Sequence, residues 1–221
     1  MRIGVLGAGG MADALAKQWA RAGHEVRIGA RTPAKAVALA GRVGHGAAGG
    51  TLREAAGFGD VVLLAVLHDG VQDALRLAGP LAGRVLLDCT NPMAPPFERL
   101  KTADGPSAAR RIADATGARV VKAFNTCHES VWRMTPPVFG GRPLGVPLCG
   151  DDEEALAAAR TLVTDLGCVP LDGGSLERAG LLEAATAFTV GLWAAGEDPS
   201  SMLPPPEYAG GDPRRAGKAV N

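Results

Sequence analysis

No charge of either sign dominates this 221-residue chain, in which 23 Lys and Arg stand against 23 Asp and Glu. Without a global field, attraction to nucleic acid or to an anionic membrane surface is not expected. No apolar run approaches the ~20 residues needed to cross a bilayer. The chain opens on a strand-like segment and not on a charged leader with a cleavage site, so secretion is not expected. The four cysteines, Cys89, Cys127, Cys149 and Cys168, form no Cys-x-x-Cys pair, and three lie in or beside apolar runs. They read as reduced, buried thiols in a cytoplasmic protein. No grouping of His, Cys and carboxylates has a recognised ligand spacing, so no metal site is expected. Small molecules are left as the expected partners.

The informative residues stand at the front. An apolar run from Ile3 to Leu6 enters Gly7-Ala8-Gly9-Gly10-Met11-Ala12, the Gly-x-Gly-x-x-Ala form of a dinucleotide-binding turn. Met11, Leu15 and Trp19 then recur at helical spacing. Gly7 allows the tight turn, Gly9 admits a pyrophosphate close to the backbone, and Ala12 lets helix and strand pack closely. The helix N-terminus adds free N–H groups and a partial positive charge. A second strand follows and ends in Ala30-Arg31-Thr32, where an NAD site would carry a carboxylate for the ribose. The Arg31 guanidinium can grip a 2′-phosphate through two hydrogen bonds, with Thr32 and Lys35 close by, so NADP(H) is favoured over NAD. The plainer alternatives are an ordinary glycine loop and, for Arg31, a solvated charge at a strand end.

Strands and helices then alternate, which predicts a doubly wound α/β fold with a parallel sheet. Helices are expected over residues 33–40 and 71–78, with a short third strand near 46–48. Thr51 and Glu54 have the spacing of a capping box. Residues 61–66 and 85–89 read as buried parallel strands, residues 92–106 as a proline-rich loop, and Ser107 as the cap of another helix. A strand over 119–124 delivers Asn125. A loop over 136–143, a strand over 145–149, a helix over 152–166, a strand over 168–171 and a helix near 178–195 follow. Residues 197–221 show no periodicity.

Ligands of open parallel sheets bind beyond the carboxyl ends of the strands. Those ends bring together the glycine turn, Arg31, Val66, Leu67, His68, Asn91, Pro92 and Asn125. The amides of Asn91 and Asn125 can hold a nicotinamide or the edge of a second ring; alternatively they only terminate strands. His68 is the expected proton-handling group, since an imidazole titrates near neutrality. Hydride transfer between two flat rings needs stacking more than an acid, whereas reducing C=O or C=N needs a proton donor, for which His68 or His128 would serve. His24 and His45 read as surface residues. Cys127 and His128 are neighbours in extended chain and point apart, which argues against a thiolate nucleophile.

These residues resemble the deazaflavin-dependent NADP reductase family, whose members pass hydride between NADP and coenzyme F420. The resemblance rests on Met1-Arg-Ile-Gly-Val-Leu-Gly-Ala-Gly-Gly, Leu87-Asp-Cys-Thr-Asn-Pro92, Val120-Val-Lys-Ala-Phe-Asn-Thr126, Pro147-Leu-Cys-Gly-Asp-Asp152 and Leu171-Asp-Gly-Gly-Ser175 with Leu181-Leu-Glu183. It implies an NADP-binding Rossmann domain over residues 1–126, a small α/β extension over 127–196 closing the cleft, a Pro/Gly-rich tail over 197–221, and a homodimer. It also implies that Gly7, Gly9, Gly10, Met11, Arg31 and Thr32 contact NADP(H) and that His68, Asn91 and Asn125 surround the nicotinamide, with F420 as the second ligand. The family often carries Ser where this chain has Ala30, and residues 127–134 differ from its small-residue stretch. The phosphate and glutamate tail of F420 would seek cations, for which Lys101, Arg110, Arg133, Arg142, Arg214 and Arg215 are available. Two other functions stay open: reduction of a small imine, carbonyl or metal chelate by NADPH, and a non-catalytic NADPH sensor.

Overall fold

The computed structural model describes residues 1–202 apart from Glu98, Ala103 and Asp104. Most of the tail, with Arg214 and Arg215, lies outside the described residues.

The chain runs β1 (Arg2–Leu6), α1 (Gly10–Arg21), β2 (Glu25–Ala30), α2 (Pro33–Val43), β3 (Ala48–Thr51), α3 (Leu52–Phe58) and β4 (Val61–Leu64). A short 3-10 turn (His68–Gly70) leads to α4 (Val71–Ala78), β5 (Val85–Asp88), α5 (Ala108–Thr116) and β6 (Arg119–Lys122). Beyond these come α6 (Glu129–Trp132), β7 (Val138–Phe139), β8 (Arg142–Pro143), β9 (Gly145–Gly150), α7 (Glu153–Thr164), β10 (Val169–Asp172) and α8 (Ala179–Ala194). Eight strands form one sheet in the order β10-β9-β6-β5-β4-β1-β2-β3. Strands β1 to β6 are parallel, β9 joins β6 antiparallel, and β10 runs parallel to β9. The doubly wound architecture expected from the sequence is observed, and the later strands extend the same sheet.

Period-2 alternation explains the two cores. Ile3, Val5, Leu63, Leu87 and Val121 face α1, α2 and α7, whereas Leu6, Val62, Leu64, Leu86 and Val120 face α3, α4 and α5. The capping box forms as its spacing predicts: Thr51 accepts from the Glu54 amide, and Glu54 accepts from the Thr51 amide at 2.7 Å. Some boundaries differ. The third strand lies at Ala48–Thr51, not 46–48, because it must align with Arg27–Ala30 of β2. The expected 136–143 loop contains the β7–β8 hairpin, and α6 falls in a stretch too short to show helical periodicity. His24 is not a surface residue: its side chain is 10% exposed, bridging the Met1 amino group at 3.1 Å and Asp165 at 2.8 Å.

Two features hold the carboxyl edge of the sheet in shape. Phe124, just past β6, adopts φ 61, a left-handed conformation that costs a bulky residue on the order of 1–3 kcal/mol. It is retained because the ring is clamped edge-on by Trp19 and Trp132, with centroids 5.7 and 5.3 Å away. Beneath the same edge, the fully buried Lys122 ammonium contacts Asp88 at 2.9 Å, Glu183 at 3.0 Å and the Thr90 carbonyl at 2.5 Å. The carboxylates are satisfied in turn: Asp88 accepts from the Thr90 amide, and Glu183 accepts from the amides of Ala108 and Ala109. The cluster joins β5, β6, α5 and α8.

Burial pulls the Lys122 pKa down, but Asp88 and Glu183 together outweigh it and the net shift is upward. A raised folded pKa gives stability that is complete below the unfolded lysine value of about 10.4 and is lost as the pH rises beyond it. Replacing Lys122 by Met leaves two buried carboxylates uncompensated and is predicted to cost about 3–5 kcal/mol. Urea unfolding at pH 7 measures that loss. A pH series adds the sign: the difference between wild type and Lys122→Met stays level from about pH 7 to 9 and narrows above about 10.4.

Candidate functional site

The strand order reverses between β1 and β4, so a crevice opens outside their carboxyl ends. Gly7 lies at this point. Its amide donates to the Gly29 carbonyl at 2.8 Å, its φ is +132, and a Cβ there would collide with the Ala65 carbonyl oxygen. Only glycine lets the turn pass between β2 and β4. Gly9 is exposed, with open space where a side chain would stand, and it precedes α1 without offering any side-chain cap. The first-turn N–H groups of α1 are therefore available to an anion. Met11 directs its side chain onto the core, so only its backbone belongs to the turn.

At the end of β2, Arg31, Thr32 and Lys35 are all exposed. Thr32 is the N-cap of α2 without a side-chain cap bond, leaving its hydroxyl unused there. Among the described residues no ion pair engages Arg31 or Lys35. The edge thus presents two cations and a hydroxyl on one side of the glycine turn. Those residues fit a phosphorylated ribose, and the α1 terminus fits a diphosphate.

On the other side stand Val66, Leu67, His68, Asn91, Pro92 and Asn125. Leu67 is 88% exposed and Val66 is partly covered. The two asparagines form a pair: Asn91 Nδ2 donates to the Asn125 carbonyl at 2.8 Å, and Asn125 Nδ2 donates to Asn91 Oδ1 at 3.0 Å and to Thr186 Oγ1 at 3.2 Å. Asn125 and Pro92 are buried and Asn91 is half-buried, so Asn125 stands behind Asn91 and orients it. Three buried side-chain atoms are without a partner among the described residues: His68 Nδ1, Thr90 Oγ1 and Asn125 Oδ1. All belong to this edge of the sheet, where unsatisfied polar atoms mark room for a ligand's hydrogen bonds.

His68 opens the 3-10 turn before α4 and walls a groove of about 300 Å³ between α4 and α5, lined also by Val71, Leu75 and Ile112. Burial pushes its pKa below the usual imidazole value; Asp69 pulls it back and Lys101 adds to the fall. Asp69 is itself held by Lys101, with 2.7 Å to each carboxylate oxygen. The net shift favours the neutral imidazole. The thiols are poor nucleophiles: burial pushes Cys89 up to about 12 and Cys168 up to about 11, and raises Cys127. Of the other cations expected to meet a second ligand, Arg110 pairs with Asp151 and Arg133 with Asp13, whereas Arg142 is exposed on β8.

Several contributors escaped the sequence reading. Lys122, Asp88 and Glu183 were visible only as charges interrupting apolar runs, Val-Val-Lys-Ala-Phe, Leu-Leu-Asp-Cys and Leu-Leu-Glu-Ala. Such an interruption is a usable signal, because a charge in a buried strand requires a partner. Thr186 and Glu129 had no signal of their own. A Cβ on Gly10 would collide with the Glu129 carboxylate, which places that side chain at the glycine turn.

Comparison with known proteins agrees with this geometry. A family model described as NADP oxidoreductase, coenzyme F420-dependent, matches residues 2–92. Metalloreductase STEAP3 of Rattus norvegicus is 31% identical over 194 residues, 87% of this chain but 38% of that protein. The chain therefore spans less than half of that relative. The F420-dependent NADP reductase of Methanothermobacter thermautotrophicus is 29% identical over 210 residues, covering 87% of this chain and 89% of that protein. A crystal structure from Arthrobacter sp. FB24, of a candidate F420-dependent NADP reductase, superposes with a TM-score of 0.78 at 29% identity, over 88% of this chain and 95% of that one. Residues 2–92 thus match the model of the NADP oxidoreductase, coenzyme F420-dependent, family, and the resemblance drawn from the sequence is borne out.

Proposed function

We propose that this chain is an NADP(H)-dependent oxidoreductase that passes hydride between NADP(H) and the deazaflavin coenzyme F420. One observation carries the cofactor: the uncapped α1 terminus behind Gly7, Gly9 and Gly10 shares a sheet edge with exposed Arg31, Thr32 and Lys35, and among the described residues no ion pair engages either cation. The diphosphate takes the N–H groups of the turn, and the 2′-phosphate takes Arg31 with Lys35 and the Thr32 hydroxyl. Asn91, oriented by Asn125 and Thr186, holds the nicotinamide carboxamide, with Val66, Leu67 and Pro92 along the ring. Bound NADPH supplies the hydride, and that hydride with one proton from solvent converts oxidised F420 to its reduced form.

The lowered proton affinity of His68 supports F420 over a carbonyl or imine. Transfer between two stacked rings requires placement at about 3–3.5 Å and no imidazolium, whereas polar double bonds need a protein acid. Residues 1–126 bind the nucleotide and residues 127–196 close the cleft over it. The exposed Leu181, Phe188 and Trp193 of α8 support a homodimer, and among the described residues no helix is long and apolar enough to cross a membrane. We assign the protein to the cytoplasm.

A second reading, reduction of a metal chelate by NADPH, draws on the 31% identity to Metalloreductase STEAP3.

Three measurements test these readings. Mixed with NADPH and oxidised F420, the protein bleaches the deazaflavin absorption band; absence of bleaching across a pH range removes the F420 assignment. Arg31→Ala weakens NADPH by about 1–3 kcal/mol, the range for a charged hydrogen bond, and leaves NADH almost untouched; equal losses overturn the NADP preference. His68→Ala keeps the F420 rate within a few-fold, and a fall of about 100-fold or more would instead assign His68 as an obligatory acid.

A further inference from the structure

The N-terminus of α1 already has a carboxylate at its door. Glu129 lies against Gly10 so closely that any side chain at residue 10 would strike its Oε1 and Cδ. Its backbone is fixed there by the core. Trp132 of α6 is 1% exposed and packs on Phe124. Gln18 of α1 donates to the Trp132 and Met134 carbonyls at 3.0 and 2.8 Å. Arg133 pairs with Asp13 at 2.5 Å and reaches the Gly10 carbonyl at 3.5 Å. The segment is thus laced to the first helix, with Glu129 at the glycine turn.

We propose that Glu129 is a resident competitor for the diphosphate of NADP(H): its carboxylate stands against Gly10 at the mouth of the glycine turn in the free protein and is displaced when the nucleotide binds. The inference rests on the NADP reading above. A helix terminus carries about half a positive charge, enough to favour one anion beside it but not to neutralise two. Arg133 of the same segment is committed to Asp13, and among the described residues the ion-pair partner of Glu129 is the imidazole of His128. The side chain has somewhere to go, since it is 35% exposed and His128 Nε2 lies 3.4 Å from its outer oxygen. Displacement costs part of the binding energy and speeds release. That suits a protein which must exchange NADP(H) at every turnover.

The test is Glu129→Gln, which keeps the shape and removes the charge. Titration calorimetry with NADP⁺ at low salt is expected to show about tenfold tighter binding than wild type, a gain that shrinks in about 0.5 M salt as the repulsion is screened. Thermal unfolding gives a readout independent of turnover. Without nucleotide the variant melts about 1–3 °C lower, because α1 loses its favourable anion, and with saturating NADP⁺ it melts higher than wild type. Unchanged or weaker NADP⁺ binding by the variant, with wild type binding normally, overturns the inference and leaves the function intact. Failure of both proteins to bind NADP⁺ overturns both.

Discussion

The Lys122 ammonium sits in a place where water cannot reach it, and most of the carboxyl edge of the sheet is arranged around that fact. Isolated in the interior, an ammonium would lose its proton or unfold its surroundings. Asp88 on β5 and Glu183 on α8 prevent this, and each carboxylate takes further hydrogen bonds from backbone amides. The consequence is positional. The Thr90 carbonyl is drawn onto the ammonium one residue before Asn91, and α8 is pinned with Thr186 one turn beyond Glu183. The asparagine pair of the site is therefore framed by a fully buried ionic cluster.

A second constraint acts at the glycine turn. Strands β2 and β4 flank β1 so closely that residue 7 has no room for a side chain, and the chain must leave the sheet with a positive φ. Helix α1 then begins without a cap, and its buried Trp19 meets Phe124 beyond β6. Trp19, Phe124 and Trp132 form one edge-to-face aromatic cluster that holds a left-handed phenylalanine next to Asn125 and seats α6 on α1. The glycine turn, the asparagine pair and Glu129 are thus mechanically continuous.

Electrostatics divides the edge in two. At the end of β2, Arg31 and Lys35 are exposed to solvent, where long cationic side chains can close on a phosphate. On the other side of the turn Asn91, Asn125 and Thr186 supply amides and a hydroxyl, beside a His68 whose proton affinity is lowered by burial.

Much of this was legible in local sequence. Alternating and continuous apolar runs marked the strands, the spacing of Thr51 and Glu54 marked a helix start, Gly7 to Ala12 marked the nucleotide turn, and Arg31 in place of an acid pointed to NADP. Each of these signals depends on residues a few positions apart, so periodicity, steric freedom and capping suffice to read them. The reversal of β9 against β6, the union of Asp88, Lys122 and Glu183, the Asn91–Asn125–Thr186 chain and the seating of Glu129 on Gly10 were decided only in three dimensions. They join residues far apart along the chain, and whether a charge or amide finds its partner is set by how sheets and helices close the space between them.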